Sequence, residues 1–134
     1  MIVDSSVWIA LLNGRDDPET QYLKRAIIDD RPVLVPGLVL TEVLQGLSND
    51  AEAQRVSALM AGFPAPPELD INDYRSAAGL YRACRAHGTT PRSTIDCLLA
   101  QICLVLNVPI LARDRDFELI ARVTPLKLAL QHAD

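Results

Sequence analysis

The chain has 134 residues, 49% of them hydrophobic, which suits one compact domain spanning 1–134 with a sizeable core. Its net charge is −4, from 17 acids and 13 bases, a balance that taken alone argues against a polyanionic partner. Met1 leads into Ile2 and Val3 with no basic stretch before them, so no secretory signal is expected, and Asp96, Gln101, Asn107 and Pro109 interrupt the longest apolar run, which argues against a membrane span.

Ile2 and Val3 predict a short buried strand. Ser5 or Ser6 is placed to cap a helix through Trp8 to Leu12, closed by Asn13 and Gly14. Pro18 opens a second helix over 18–28, and 33–35 reads as another short strand. Helices follow over 36–45, closed by Gly46, and over 52–60. The Pro-rich stretch 63–67 is a connection, 69–71 a strand, and 73–87 a helix stopped by Gly88. The helix expected over 93–106 is apolar almost all round, as a central, covered helix should be. A strand over 108–112, a short helix over 117–121 and a last strand over 126–128 complete the pattern.

Short apolar strands alternating with helices imply parallel pairing through right-handed crossovers. The expected fold is therefore α/β, a three-layer α/β/α sandwich around a mainly parallel sheet of about four to five short strands. Ligands of such sheets bind beyond the carboxyl ends of the strands. Cys84, Cys97 and Cys103 are odd in number, lack C-x-x-C spacing and lie in apolar helical patterns, which favours reduced core thiols in a cytoplasmic protein. His87 and His132 are too few and too far apart to make a His-based metal motif.

The acids at the strand ends carry the chemistry. Asp4 follows the first strand and precedes the first helix, where it suits either a cap or a ligand. Glu42, in "PGLVLTEVLQGL", falls about 40° from Leu38 around the helix, on the margin of its apolar stripe. Asp96 enters the first turn of "STIDCLLAQICLVL"; the bland reading is a capping box with Ser93, yet a carboxylate withdrawn from water is costly unless paired or bound to a cation. Asp114 and Asp116, in "PILARDRDFELIA", follow a strand and begin a helix.

Each acid has an ordinary explanation alone, but together they recur at one edge of a parallel sheet. Carboxylates crowded there repel, and proton uptake or a bound divalent cation relieves the repulsion. Oxygen ligands without His or Cys suit Mg²⁺ or Mn²⁺, and the implied chemistry is phosphodiester hydrolysis by a metal-activated water, with Ser6 as a hydroxyl partner. Setting those five carboxylates aside leaves 12 acids against 13 bases, so a local basic patch is compatible with the overall charge.

The segments "MIVDSSVWIALL", "VPGLVLTEVLQG" and "STIDCLLAQICLVLNVPILARDRDFELIA", in this order and at this chain length, resemble the PIN-domain ribonucleases, specifically the VapC toxins of type II toxin–antitoxin pairs. The resemblance covers essentially the whole chain. It implies a metal-dependent endoribonuclease in which Asp4, Glu42, Asp96 and Asp114 form the acidic cluster, with Asp116 as a fifth member. It also implies transfer or ribosomal RNA as substrate, a homodimer, and neutralisation by a small VapB-type antitoxin. One departure is Ser5, where these toxins often carry threonine; Ser6 keeps the second hydroxyl.

RNA must also be held by its phosphates. Arg82 and Arg85 lie on the helix "DYRSAAGLYRACRAHG", Arg92, Arg113 and Arg115 flank the acids, and all five are candidates for RNA or antitoxin contact. Arg75 reads as ordinary surface charge. A haloacid-dehalogenase-like phosphatase would need a second Asp where Ser6 stands and a lysine that has no place here; G-x-G-x-x-G and G-K-[ST] are both absent. A catalytically silent docking module of the same fold is the remaining alternative, and loss of several acids would have supported it.

Overall fold

The computed structural model describes residues 1–131, so His132 lies outside the described residues. Strand β1 (Ile2–Val3) pairs in parallel with β2 (Ile110–Leu111), Ile2 opposite Ile110 and Val3 opposite Leu111. All four side chains are almost completely buried, as expected of strands covered on both faces. Single parallel bridges extend the ladder, Leu34 beside Ile2 and Leu128 beside Ile110. Among the described residues, four chain segments thus lie side by side, of which the central two are strands.

The expected sheet of four to five strands is not confirmed at that number, while its parallel pairing is present. Segments 33–35 and 126–128 contribute one bridge each, and 108–112 narrows to two strand residues. Residues 69–71 form no strand at all. Asp70 instead caps a helix that begins at Ile71: its carboxylate accepts from Asp73 N, and Asp73 returns the bond to Asp70 N. That reciprocal cap prevails over the weak Leu-Asp-Ile alternation, and Ile71 is left 65% exposed.

The helices are α1 (Ser5–Leu12), α2 (Pro18–Ile28), α3 (Gly37–Gln45), α4 (Asp50–Met60), α5 (Ile71–Ala86), α6 (Thr94–Leu106) and α7 (Asp116–Val123). Their main contacts fall into two groups. In one, α1 packs on α2 and α3, and α3 on α4; in the other, α5, α6 and α7 pack on one another. Among the described residues, no helix is long and apolar enough to cross a membrane. The three cysteines are free and buried, consistent with core packing.

The core explains why so small a sheet holds its register. Ile2, Val3, Ile110 and Leu111 join Leu23, Val39, Leu99, Phe117 and Ile120 in one cluster. Trp8, 1% exposed, packs edge-on against Phe63 with ring centroids 5.2 Å apart. Its indole Nε1–H is buried without a hydrogen-bond partner among the described residues. Because Val3 faces Leu111, the chain leaves both strands at one edge, Asp4 from β1 and residues 112–115 from β2. Helix α6 feeds β2 through 107–109, so its first turn returns to that same edge.

Candidate metal centre

Asp4 caps α1: its Oδ2 accepts from Ser6 N at 3.2 Å and from Ser6 Oγ at 2.6 Å. Capping and a place in the acidic site, which the sequence presents as rival readings, coexist in one residue. Ser6 Oγ in turn accepts from Arg113 N at 3.4 Å, joining the start of α1 to the loop after β2. Ser5 Oγ donates to Glu42 Oε1 on α3 at 3.2 Å. The sequence assigns its supporting hydroxyl to Ser6 alone; Ser5 has its own partner, and adjacency to Asp4 was the only signal for it.

Asp96 does not form the capping box with Ser93. The Ser93 hydroxyl alone accepts from Ile95 N, and the Asp96 carboxylate faces the acids of the β2–α7 loop. Carboxylate oxygens of Asp96, Asp114 and Asp116 all lie within 4.8 Å of one another. Asp114 Oδ1 accepts from Asp116 N at 3.0 Å, and Asp116 Oδ2 accepts from Arg92 N at 2.9 Å. The backbone contribution of Arg92 has no signature in the sequence. Asp4, Asp96 and Asp116 are buried, while Glu42 and Asp114 are half-buried.

Burial above all, with neighbouring charge adding to it, makes Asp4, Glu42 and Asp96 hard to ionise. Burial raises the pKa of Asp4; hydrogen bonds from Ser6 and Ser5 oppose the rise and the charge of Asp114 adds to it. Asp96 is pushed up to about 8 by burial, the charge of Asp4, a hydrogen bond with Asp116, and the charges of Asp114 and Asp116. Glu42 rises for similar reasons, burial followed by the charge of Asp4. Each carboxylate thus senses another across the edge. Asp4 adjoins the tight trio of Asp96, Asp114 and Asp116, and Glu42 adjoins Asp4 in turn.

The trio fits a hard divalent cation. In six-coordinate Mg²⁺, oxygens about 2.1 Å from the ion lie about 3–4.2 Å from one another. Three oxygens spread over 4.8 Å lie within about 2.8 Å of a common centre, so side-chain shifts of about 0.7 Å bring them to bonding distance. The donor set is all oxygen, as Mg²⁺ and Mn²⁺ prefer. A cation also relieves the repulsion that raises these pKa values.

The arginines occupy different settings. Arg82 is exposed on α5 and lines a cleft with Ala77, Ala78, Tyr81, Thr94 and Cys97. The guanidinium of Arg85, also exposed, stands 6.0 Å over the Tyr81 ring. Arg92 and Arg115 expose their side chains beside the trio, Arg115 from the position before α7. Arg113 differs, because its guanidinium pairs with Asp17 and reaches Glu19 at 4.0 Å. Arg75 bonds Asn72 on its own helix, an ordinary surface arrangement.

The family model "PIN domain" matches residues 1–123. The chain is similar to VapC ribonuclease Mb1587 of Mycobacterium bovis and to Ribonuclease VapC11 of Mycobacterium tuberculosis. Each is 31% identical over 130 residues, covering 96% of this chain and 97% of the relative. Among solved structures, FitAB bound to the IR36 DNA fragment superposes with a TM-score of 0.67 at 18% identity, covering 99% of both chains. FitAcB from Neisseria gonorrhoeae gives 0.67 at 16% identity, over 95% of this chain and 94% of its own. These two establish likeness of fold.

Proposed function

The chain belongs to the PIN domain family, and from that premise we propose that it is a VapC-type toxin, a metal-dependent endoribonuclease held in check by a cognate VapB-type antitoxin. The observation that carries the reading is the trio Asp96, Asp114 and Asp116 at the strand edge, with oxygens within 4.8 Å, beside Asp4, which Glu42 in turn adjoins. Full-length similarity to VapC ribonucleases supports hydrolysis of RNA as the reaction. In this reading the chain is one PIN domain over 1–134, its two helical groups are the outer layers of an α/β/α sandwich, and it works in the cytoplasm as a homodimer on transfer or ribosomal RNA.

The assigned metal ligands are Asp96, Asp114 and Asp116, with Asp4 beside them as a further ligand and Glu42 positioning metal or water; the ion is Mg²⁺, with Mn²⁺ as a substitute. When bound, such an ion lowers the pKa of water and neutralises charge developing on the phosphate. The protein's own part is preorganisation. Ser6 holds one oxygen of the Asp4 carboxylate through both its backbone N–H and its hydroxyl, Ser5 fixes Glu42, and the backbone N–H groups of Arg92 and Asp116 orient Asp116 and Asp114. Burial of Asp4, Asp96 and Asp116 excludes water that would weaken their charges. Exposed Arg82, Arg85, Arg92 and Arg115 are assigned to phosphates of RNA or to acidic groups of the antitoxin.

Incubating the protein with total cellular RNA, with Mg²⁺ or Mn²⁺ and with a chelator, and mapping new ends tests activity and substrate together. Discrete metal-dependent cuts are expected. Intact RNA under every metal condition, from a protein that is folded and free of antitoxin, would refute the assignment.

A further inference from the structure

Arg113 stands between β2 and Asp114, and its side chain leaves the site. The Arg113 side chain is 23% exposed; its guanidinium pairs with Asp17, whose side chain is 15% exposed and also meets Arg15 at 2.9 Å, and lies near the buried Glu19. The anchor is stiff. Asp17 caps α2 in a reciprocal box, accepting from Thr20 N while Thr20 Oγ1 accepts from Asp17 N, and Thr20 is completely buried. Asp17 is also held in its charged form, at about 2, by the Thr20 N–H first and by Arg113 among the further causes. At its backbone, Arg113 donates to the Ser6 hydroxyl that itself grips Asp4.

Its two ends thus tie the loop carrying Asp114 and Asp116 to two separate elements, α2 through the side chain and α1 through the backbone. A guanidinium contributes nothing directly to a cation site, since its charge repels the ion. The two acids of α2 draw that charge outward.

We propose that Arg113 is a positioning residue, a strut that with Asp17 sets the 112–115 loop so that Asp114 and Asp116 meet Asp96 at cation-binding distance. This rests on the metal-dependent reading above and gives Arg113 a different task from contacting RNA. The sign of the effect separates the strut from simple electrostatics. Deleting a nearby positive charge should by itself tighten cation binding, whereas losing a strut loosens it.

The test is titration of the metal-free, full-length protein with Mn²⁺ by calorimetry, alongside thermal melts in chelator. Wild type should bind Mn²⁺, and Arg113→Ala should bind about tenfold more weakly, the usual effect of removing a group that orients a ligand. Asp17→Asn, which keeps an oxygen for Thr20 N, should weaken binding similarly, and carries the test if Arg113→Ala does not fold. The double variant should be no worse than Asp17→Asn alone, because that change already removes the tie to Arg113 along with the exposed pair to Arg15. Arg113→Lys, retaining charge without the planar fork, should fall between. Unchanged or tighter Mn²⁺ binding in Arg113→Ala or in Asp17→Asn, or a loss confined to RNA affinity, overturns the strut. Failure of wild type to bind Mn²⁺ overturns the metal reading beneath it and is recognised separately.

Discussion

Asp96 shows how one side chain can carry both function and instability. Its pKa in the fold lies far above the ordinary carboxylate value of 3.8, so between about pH 4 and pH 8 the native protein retains a proton that the unfolded chain has released. Stability of the metal-free protein therefore falls as pH rises through that window, and the upward shifts of Asp4 and Glu42 act with the same sign. Melts in chelator should show a higher Tm at about pH 5.5 than at about pH 8. Asp96→Asn, which cannot ionise, should flatten this slope and melt at or above wild type at the alkaline end, while RNA cleavage falls to background. A steeper slope in the variant would contradict this account. Ser5→Ala should leave Glu42 without its hydroxyl donor and lower cleavage more than stability, a difference read by comparing rate with Tm. The contribution of Ser5 was not legible in the sequence, because a serine beside a strand-end aspartate looks like a capping residue whether or not a glutamate 37 positions away accepts from it.

Among the elements, those with strong local signals were readable and those that depend on distant partners were not. Helix α2 begins at Pro18 and ends at Ile28 as its first-turn proline implies, and α6 is covered on most sides as its apolar sequence requires. Strands of two residues have almost no periodicity to read; the three-residue windows at 33–35 and 126–128 shrink to bridges because pairing is set by neighbours across the sheet. The strand expected over 69–71 fails for a local reason, the Asp70–Asp73 box that starts α5. Asp70→Ala should cost about 1 kcal/mol in urea unfolding through loss of this cap. Leu99→Ala, in the fully buried stripe of α6, should cost about 2–5 kcal/mol. The gathering of Asp4, Asp96, Asp114 and Asp116 was legible because parallel topology alone sends strand ends and returning helix starts to one edge. The link from Arg113 to Asp17, 96 positions apart, follows from no such rule.

For the molecule as a whole, the acidic balance and the RNA reading are reconciled by location, since the negative charge is concentrated where a cation is expected. Binding to the folded state alone stabilises by about 2.7 kcal/mol when the ion is at about a hundred times its Kd. Saturating Mn²⁺ should therefore raise Tm by on the order of 10 °C near neutral pH, and by less in Asp114→Asn. No shift in either protein would contradict a metal centre. RNA affinity, measured by filter binding with Asp96→Asn in chelator, should depend only modestly on salt, with a log–log slope of about −2 if about three arginines meet phosphates. The single tryptophan offers a further consequence. Trp8 sits one turn beyond Asp4 on α1, sealed from water and seated on Phe63. An indole in so dry a setting emits at short wavelength, so the intrinsic fluorescence of the unlabelled protein reports, from one known position, whether the segment bearing Asp4 and Ser5 is still docked.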